Sequence, residues 1–403
     1  MSRQPQPWDL ATLCLHTGHE LDPATGAAAV PIYQTSTFHQ PGLDEPGPYD
    51  YARSGNPTRA ALEGALAALE GAAGAFAFAS GMAAIASLFL TLGAGDHVVV
   101  TADCYGGTYR LLTRVLARWG LAVTFTDTCD PEAVVAAIRP NTRAIWVESL
   151  SNPFLQVADL PALAELARSR GVRLWVDNTF LSPALCRPLA LGADAVVHSA
   201  TKYLGGHSDL VAGTVAVRDR EAAAAVAFVQ NAVGAVLGPQ DCFLLMRGLK
   251  TLPLRVQRQQ ATALAVAQWL RDHPLVAAVY YPGLPDHPGY ELARALGGFG
   301  AVLSFRLVDG RLTRPFLRAL RLPLLGVSLG AVESIITVPA YHSHASLPPA
   351  ERERRGIDDS LLRLSVGLEA PEDLIADLAQ ALAAAERAVS AGAGPVTRRG
   401  PSG

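Results

Sequence analysis

From about residue 75 to 217, short apolar runs alternate with helical segments, and this alternation most constrains the fold. The runs are AFAFA, HVVV, AVTFT, AIWVE, VRLWVD, ADAVVH and GTVAV, separated by helical segments such as 106–119 and 160–170. Strand-length runs spaced by helices predict an α/β domain with a mostly parallel sheet. In such a sheet, ligand sites lie outside the carboxyl ends of the strands.

The flanks read differently. Residues 1–60 are rich in Pro, Gly, Thr and Tyr and show little periodicity, which predicts an arm lying over another surface. A helix is expected to begin near Pro57 and Thr58 and to run through ALEGALAALEG. Residues 240–272 read as a long helix broken near Pro253. Beyond residue 275 the runs AVYYPG, AVLSFRLV, SIITVP and LLRLSVGLE mix with helices, and a last helix spans 371–389. The predicted organisation is an arm (1–60), a large α/β domain (61–255), a smaller C-terminal α+β domain (256–390) and a disordered tail (391–403).

Composition narrows the function classes. The net charge of −3 leaves no basic footprint, so neither nucleic acid nor an anionic membrane is expected as a partner. The five cysteines form no CxxC pair, which argues against a structural zinc site and a disulfide framework and suits a reducing compartment. MSRQPQPWDL has no apolar signal region, and no run is long and apolar enough to span a membrane. The expected location is the cytoplasm, with no metal site.

The residues just after each strand of the α/β domain carry the chemistry. After AFAFA come Ser80, Gly81 and Met82, where a helix N-terminus could hold a phosphate. After VRLWV comes Asp177, an acid that is costly at a strand end unless paired. After ADAVV come His198, Ser199, Thr201 and Lys202; after AIWVE comes Asn152; after HVVVTAD come Cys104 and Tyr105. Each alone has an ordinary explanation: a strand-to-helix turn, a turn-capping acid, a hydroxyl turn, an exposed loop lysine. Together they form the parts list for pyridoxal 5'-phosphate: a Schiff-base lysine, an acid for the pyridinium nitrogen, a phosphate cradle and a ring to stack. No P-loop is present, and the glycines of LGGFG (296–300) precede no fitting helix. His342 and His344 are expected to be structural or loop residues, His207 to support its loop, and ERERR (351–355) to be a solvated helix face.

The motifs YARSGNPTR, ASGMAA, DCYGGTYR, VESLSNP, VDNTF, HSATKYLGGHSD, VSLGAVES and LRLSVGLE resemble those of the Cys/Met-metabolism family of pyridoxal-phosphate enzymes. The resemblance covers about residues 10–390. It implies the PLP-dependent aminotransferase type I fold, an amino-acid substrate and a homotetramer built as a dimer of dimers with shared sites. By position it makes Lys202 the Schiff-base lysine and Asp177 the pyridinium partner. Gly81, Met82, Ser199 and Thr201 match the phosphate cradle, and Tyr105 matches the stacked tyrosine, an acid–base candidate beside Lys202. Tyr51 and Arg53 match residues that reach a neighbouring subunit's phosphate. Arg363 matches the arginine that binds the substrate α-carboxylate, with Asn152 and Ser328 nearby. Before the SLG serine many γ-synthases and γ-lyases of the family carry Glu, and this chain has Val327, as in plant-type β-lyases, some bacterial C–S lyases and methionine γ-lyases; the last usually carry a cysteine where this chain has Gly107, which counts against them. DCYGGTYRLL and NTFLSPAL are similar to bacterial γ-synthases. The resemblance is read as a cystathionine lyase that prefers β-elimination, with γ-elimination possible in the same site. The alternative is a cystathionine γ-synthase using an O-acylhomoserine and cysteine.

Overall fold

The computed structural model describes residues 8–18, 21–345 and 349–393. The chain divides into two compact units. One contains the described residues up to Ala102 together with Gly107–Ser149 and Ala158–Pro253; the other contains Asp103–Gly106, Leu150–Val157 and the described residues from Leu254.

The larger unit holds seven strands: β1 (Gly74–Phe78), β2 (His97–Thr101), β3 (Ala122–Thr126), β4 (Thr142–Glu148), β5 (Arg173–Asp177), β6 (Ala195–His198) and β7 (Gly213–Val217). Their order in the sheet is β1-β7-β6-β5-β4-β2-β3. Only β7 opposes its neighbours; every other adjacent pair is parallel. The expected α/β class and mostly parallel sheet are what the structure has. The strands form because their residues are apolar and largely β-branched: Val98, Val99, Val100, Ile145, Val147, Val176, Val196 and Val197 are completely buried. Each such side chain removed from water contributes about 1.5–3 kcal/mol. Trp146 and Trp175 pack against Phe89 with ring centroids 5.1 and 5.5 Å apart.

The helix Pro57–Glu70 starts where the sequence says it should. Asn56 caps the amides of Thr58 and Arg59, Pro57 occupies the first turn, and Gly71 ends it in the left-handed region. The segment before it has little regular structure but is stitched down. Thr58 Oγ1 donates to the Pro31 carbonyl and accepts from the Tyr33 amide, while the Phe38 amide donates to Asp50 and that of Ala52 to Ser36. Arg59, buried inside the helix, donates from Nη1 to the Ala52 carbonyl and from Nη2 to that of Arg53.

The segment 106–119 is not one uniform helix. It is α-helical over Gly106–Arg110, π-helical over Leu111–Val115 and 3₁₀ over Leu116–Trp119, ending at Gly120 with φ 86°. The three forms differ in residues per turn, but pieces of four or five residues are too short for a periodic pattern to separate them. The expected break in the later helix falls at Lys250 and Thr251, and Pro253 lies in the first turn of Leu252–Asp272, where its missing N–H is no loss.

The smaller unit carries β8 (Val276–Tyr280), β9 (Val302–Leu307), β10 (Leu324–Leu325), β11 (Ile335–Thr337) and β12 (Leu361–Ser365) in the order β10-β11-β12-β9-β8. All pairs are antiparallel except β10 with β11. LGGFG leads into β9, not into a helix. The last helix runs through Ala393, beyond the expected end at 389, and the rest of the expected tail lies outside the described residues. No helix among the described residues is long and apolar enough to cross a membrane.

Candidate active site

In the larger unit, the carboxyl ends of β5 and β6 and the turn after β1 carry the predicted cofactor residues Asp177, Ser199, Thr201, Lys202, Gly81 and Met82. Ser80 caps the helix Gly81–Phe89 by accepting from the Ala83 amide. The amides of Gly81 and Met82 then have no intramolecular partner among the described residues, so this helix end presents donors suited to a phosphate. Glycine is needed around it. A Cβ on Gly213 would stand 2.2 Å from the Ser80 carbonyl oxygen, and one on Gly81 would stand 2.9 Å from the Ser199 side chain.

Asp177 ends β5. Its Oδ1 accepts from the Thr179 amide at 3.0 Å and from the Thr179 hydroxyl at 2.5 Å. The same hydroxyl accepts from the Ser199 amide at 2.9 Å, tying the end of β5 to the segment after β6. Oδ2 of Asp177 makes no hydrogen bond among the described residues, so it remains an acceptor for a protonated ring nitrogen. Asp177 keeps some accessible surface, yet protein atoms surround it. Burial pushes its carboxyl above the usual range, against the Thr179 hydrogen bonds and the charge of His198, which lower it.

Lys202 is half-buried in the turn that follows β6, fixed through its amide to the Ser199 carbonyl and through its carbonyl to the Gly206 amide. His207 Nδ1 pairs with the Gly205 carbonyl at 2.8 Å, so it supports this loop. Thr201 donates its one hydroxyl hydrogen to the Ala212 carbonyl and accepts from the Ala212 amide, which fastens the turn to the start of β7. Tyr51 and Arg53 are at the surface, with the guanidinium carbon 5.7 Å from the Tyr51 ring centre and Nη1 on the Asn231 carbonyl.

The smaller unit contains a second cluster. Arg363, on β12, is 4 % exposed, so it does not face outward from its strand. It donates from Nη1 to Asn152 Oδ1 at 3.1 Å and from Nη2 to the Ser328 carbonyl at 2.8 Å. Ser328 has φ 113°, a backbone region that side chains rarely adopt, and such strain marks functional sites. The Asn152 carbonyl meets His344 Nε2 at 3.1 Å. Burial, then the charges of Arg363 and Arg355, push the His344 imidazole down to about 4. Its ring is therefore neutral near pH 7 and donates to Asn152, a structural role as expected. A planar guanidinium held in this way suits bidentate binding of a carboxylate. Tyr105, 43 % exposed, belongs to the short segment Asp103–Gly106, and Asp103 pairs with Arg355 at 3.4 Å. Arg355 is thus not part of a solvated face: its side chain is 15 % exposed and reaches that segment.

Sequence reasoning overlooked Thr179, Glu70 and Arg355. The spacing Asp177-x-Thr179 is a local turn signal that could have revealed the first. No group of three or more His, Cys, Asp or Glu able to hold a metal exists among the described residues.

An α/β sheet with a lysine, an acid with a free acceptor oxygen and an open helix N-terminus at its strand ends defines a protein built to hold a phosphorylated heterocycle. The family described as Cys/Met metabolism PLP-dependent enzyme matches residues 11–383, and the chain belongs to it. The chain is 52% identical over 376 residues to the cystathionine beta-lyase of Bacillus subtilis, covering 93% of this chain and 96% of that one. It is equally, 52% over 376 residues, identical to the cystathionine gamma-synthase of Mycobacterium tuberculosis, covering 92% and 96%. A crystal structure of cystathionine gamma-lyase from Lactobacillus plantarum complexed with L-serine superposes with a TM-score of 0.91 at 45% identity, covering 94% of this chain and 99% of that one. The family is PLP-dependent, so the expected cofactor and the aminotransferase-type α/β fold stand, as does a transsulfuration carbon–sulfur chemistry shared by these relatives.

Proposed function

We propose that the protein is a carbon–sulfur lyase that cleaves L-cystathionine by β-elimination, with uptake of one water, giving homocysteine, pyruvate and ammonia. The observation that carries the choice is Val327, which is 67 % exposed beside the carboxylate-binding serine turn and is accompanied by exposed Leu324 and Leu325. Where many γ-synthases and γ-lyases of the family carry Glu, this apolar rim has no carboxylate, as in plant-type β-lyases. It leaves the chemistry at Cα untouched.

The roles follow from the residues. Gly81 and Met82 amides and the Ser199 hydroxyl hold the cofactor phosphate, Thr201 fastens the lysine turn, and Asp177 Oδ2 accepts from the ring nitrogen. Tyr105 stacks on the ring. Arg363, oriented by Asn152 and Ser328, takes the substrate α-carboxylate. When bound, the cofactor supplies an electron sink for the pair left at Cα. Lys202 would hold the cofactor through its amine and, as general base, would take the proton from the substrate's Cα. The Cβ–S bond then breaks, and Lys202 or Tyr105 returns a proton to the departing thiolate. Tyr51 and Arg53 complete the phosphate site of a neighbouring chain, in a cytoplasmic homotetramer.

Product analysis with L-cystathionine and the purified holoenzyme tests this reading. Homocysteine with pyruvate is the expected outcome. Cysteine with 2-oxobutyrate would assign γ-elimination instead. No cleavage, but condensation of an O-acylhomoserine with cysteine, would make the protein a γ-synthase, a reading that the equal identity to the mycobacterial enzyme supports.

A further inference from the structure

The role proposed for Arg363 leaves open what fixes the two turns that orient it. In the smaller sheet, Arg363 on β12 is registered against Ser304 on β9 and against Thr337 on β11, and Ser304 in turn against Tyr280 on β8. Residues directly opposite one another on neighbouring strands point to the same face. Tyr280, Ser304, Arg363 and Thr337 therefore form one row of side chains across four strands. Ser304 and Thr337 are sealed from water, 0% and 1% exposed.

Every member of this row reaches one of two turns. The first is 152–154. Arg363 Nη1 donates to Asn152 Oδ1 at 3.1 Å, the Ser304 hydroxyl donates to the Pro153 carbonyl at 2.7 Å, and the Tyr280 ring meets the Phe154 ring edge-on with centroids 5.1 Å apart. Three neighbours in the row thus hold three consecutive residues of the turn, in matching order. The second turn is 326–328. Arg363 Nη2 donates to the Ser328 carbonyl at 2.8 Å, and the Thr337 hydroxyl donates to the Gly326 carbonyl. A single bond from Arg363 would leave either turn free to rotate about it; a second bond from the adjacent strand removes that freedom. It also holds Ser328 at φ 113°, a conformation that persists only where its surroundings over-determine it. A guanidinium pairs with both oxygens of a carboxylate in one plane, so whatever fixes Asn152 Oδ1 and the Ser328 carbonyl also fixes that plane.

We propose that Ser304 and Thr337 are positioning residues for substrate recognition: their hydroxyls hold the two turns that set the plane of the Arg363 guanidinium, and through it the selectivity for an α-carboxylate. The inference rests on the proposed role of Arg363 as the group that binds this carboxylate. It does not depend on which carbon–sulfur bond is cleaved.

The test uses the cofactor-loaded enzyme and two ligands that differ only in the carboxylate, L-alanine and ethylamine. Binding is read from the change in the bound cofactor's visible absorbance, and the ratio of the two affinities is the carboxylate selectivity. Ser304→Ala and Thr337→Val each remove one hydroxyl. Thr313→Val removes a buried hydroxyl bonded to the Asp359 carbonyl in the same unit and is the control for lost stability alone. The expected result is that Ser304→Ala and Thr337→Val each lower the selectivity by roughly 3- to 10-fold, the scale of one buried hydrogen bond. Thr313→Val should lower the melting temperature and leave the ratio in place, and Arg363→Met should abolish the selectivity. If Arg363→Met abolishes it and the two folded hydroxyl variants leave it unmoved, the proposal is overturned and the Arg363 assignment survives. If only one of them moves it, the proposal falls for the other residue. If Arg363→Met keeps the selectivity, both the assignment and the proposal fall. Should a hydroxyl variant fail to fold, a crystal structure of the unmodified holoenzyme with L-alanine decides. Both hydroxyl bonds intact with the carboxylate on Arg363 support the proposal, and either bond broken overturns it.

Discussion

His344 is a buried ring that feels the charges of two guanidinium groups. Its ordinary value of 6.5 falls to about 4 in the folded chain, through burial first and then Arg363 and Arg355. The unfolded chain therefore takes up a proton before the folded chain does. The stability from this ring is fully present above about pH 6.5, declines as pH falls towards 4, and is gone below it. The full effect is on the order of 3 kcal/mol. Denaturant midpoints of the holoenzyme measured near pH 6.5 and near pH 4 should converge between the native protein and His344→Gln. Parallel pH curves would mean that the ring does not titrate in this window. The proposed roles of Lys202, Asp177 and Arg363 can be read from the sequence because each stands inside a short motif whose neighbours narrow its role. The contacts of His344 and Glu70 cannot, because their partners lie 192 and 128 residues away along the chain. Only folding brings those atoms together.

Elements were more legible than residues where one signal decides them. The seven strands of the larger sheet are apolar runs bounded by turns, and their burial leaves one reading. β10 has two residues, both exposed, and exists only because β11 offers it a partner, so no local pattern announces it. The turn between β1 and the helix Gly81–Phe89 shows how tightly elements meet at the cofactor end. Gly213→Ala would press a methyl carbon 2.2 Å from the Ser80 carbonyl oxygen, backbone against side chain, with no flexible atom to yield. We expect a loss of about 1–3 kcal/mol in stability and a clear drop in cofactor affinity, because the displaced amides are the proposed phosphate donors. Equilibrium titration of the cofactor-free protein with pyridoxal phosphate measures the second effect. Unchanged affinity in a folded variant would remove Gly81 and Met82 from the phosphate site.

At the scale of the assembled molecule, the proposed division of labour between chains makes a prediction of its own. Lys202→Ala removes the anchoring amine, and Arg53→Ala removes the guanidinium proposed to serve a neighbour. If sites are shared across a two-fold pair, mixing the two inactive proteins under subunit exchange restores roughly a quarter of native activity, since half the pairs are mixed and each has one intact site. If each chain completes its own site, mixing restores nothing. The arm that carries Arg53 is held through Arg59, near the start of the helix Pro57–Glu70, and the far end of that same helix holds His198 through Glu70. Fourteen residues make a rod about 21 Å long. One end of this rod fastens the arm that carries Arg53, and the other fastens the end of β6, just before the lysine turn. A single stiff element therefore keeps the spacing between arm and lysine turn, so a substitution that bends it disturbs both at once.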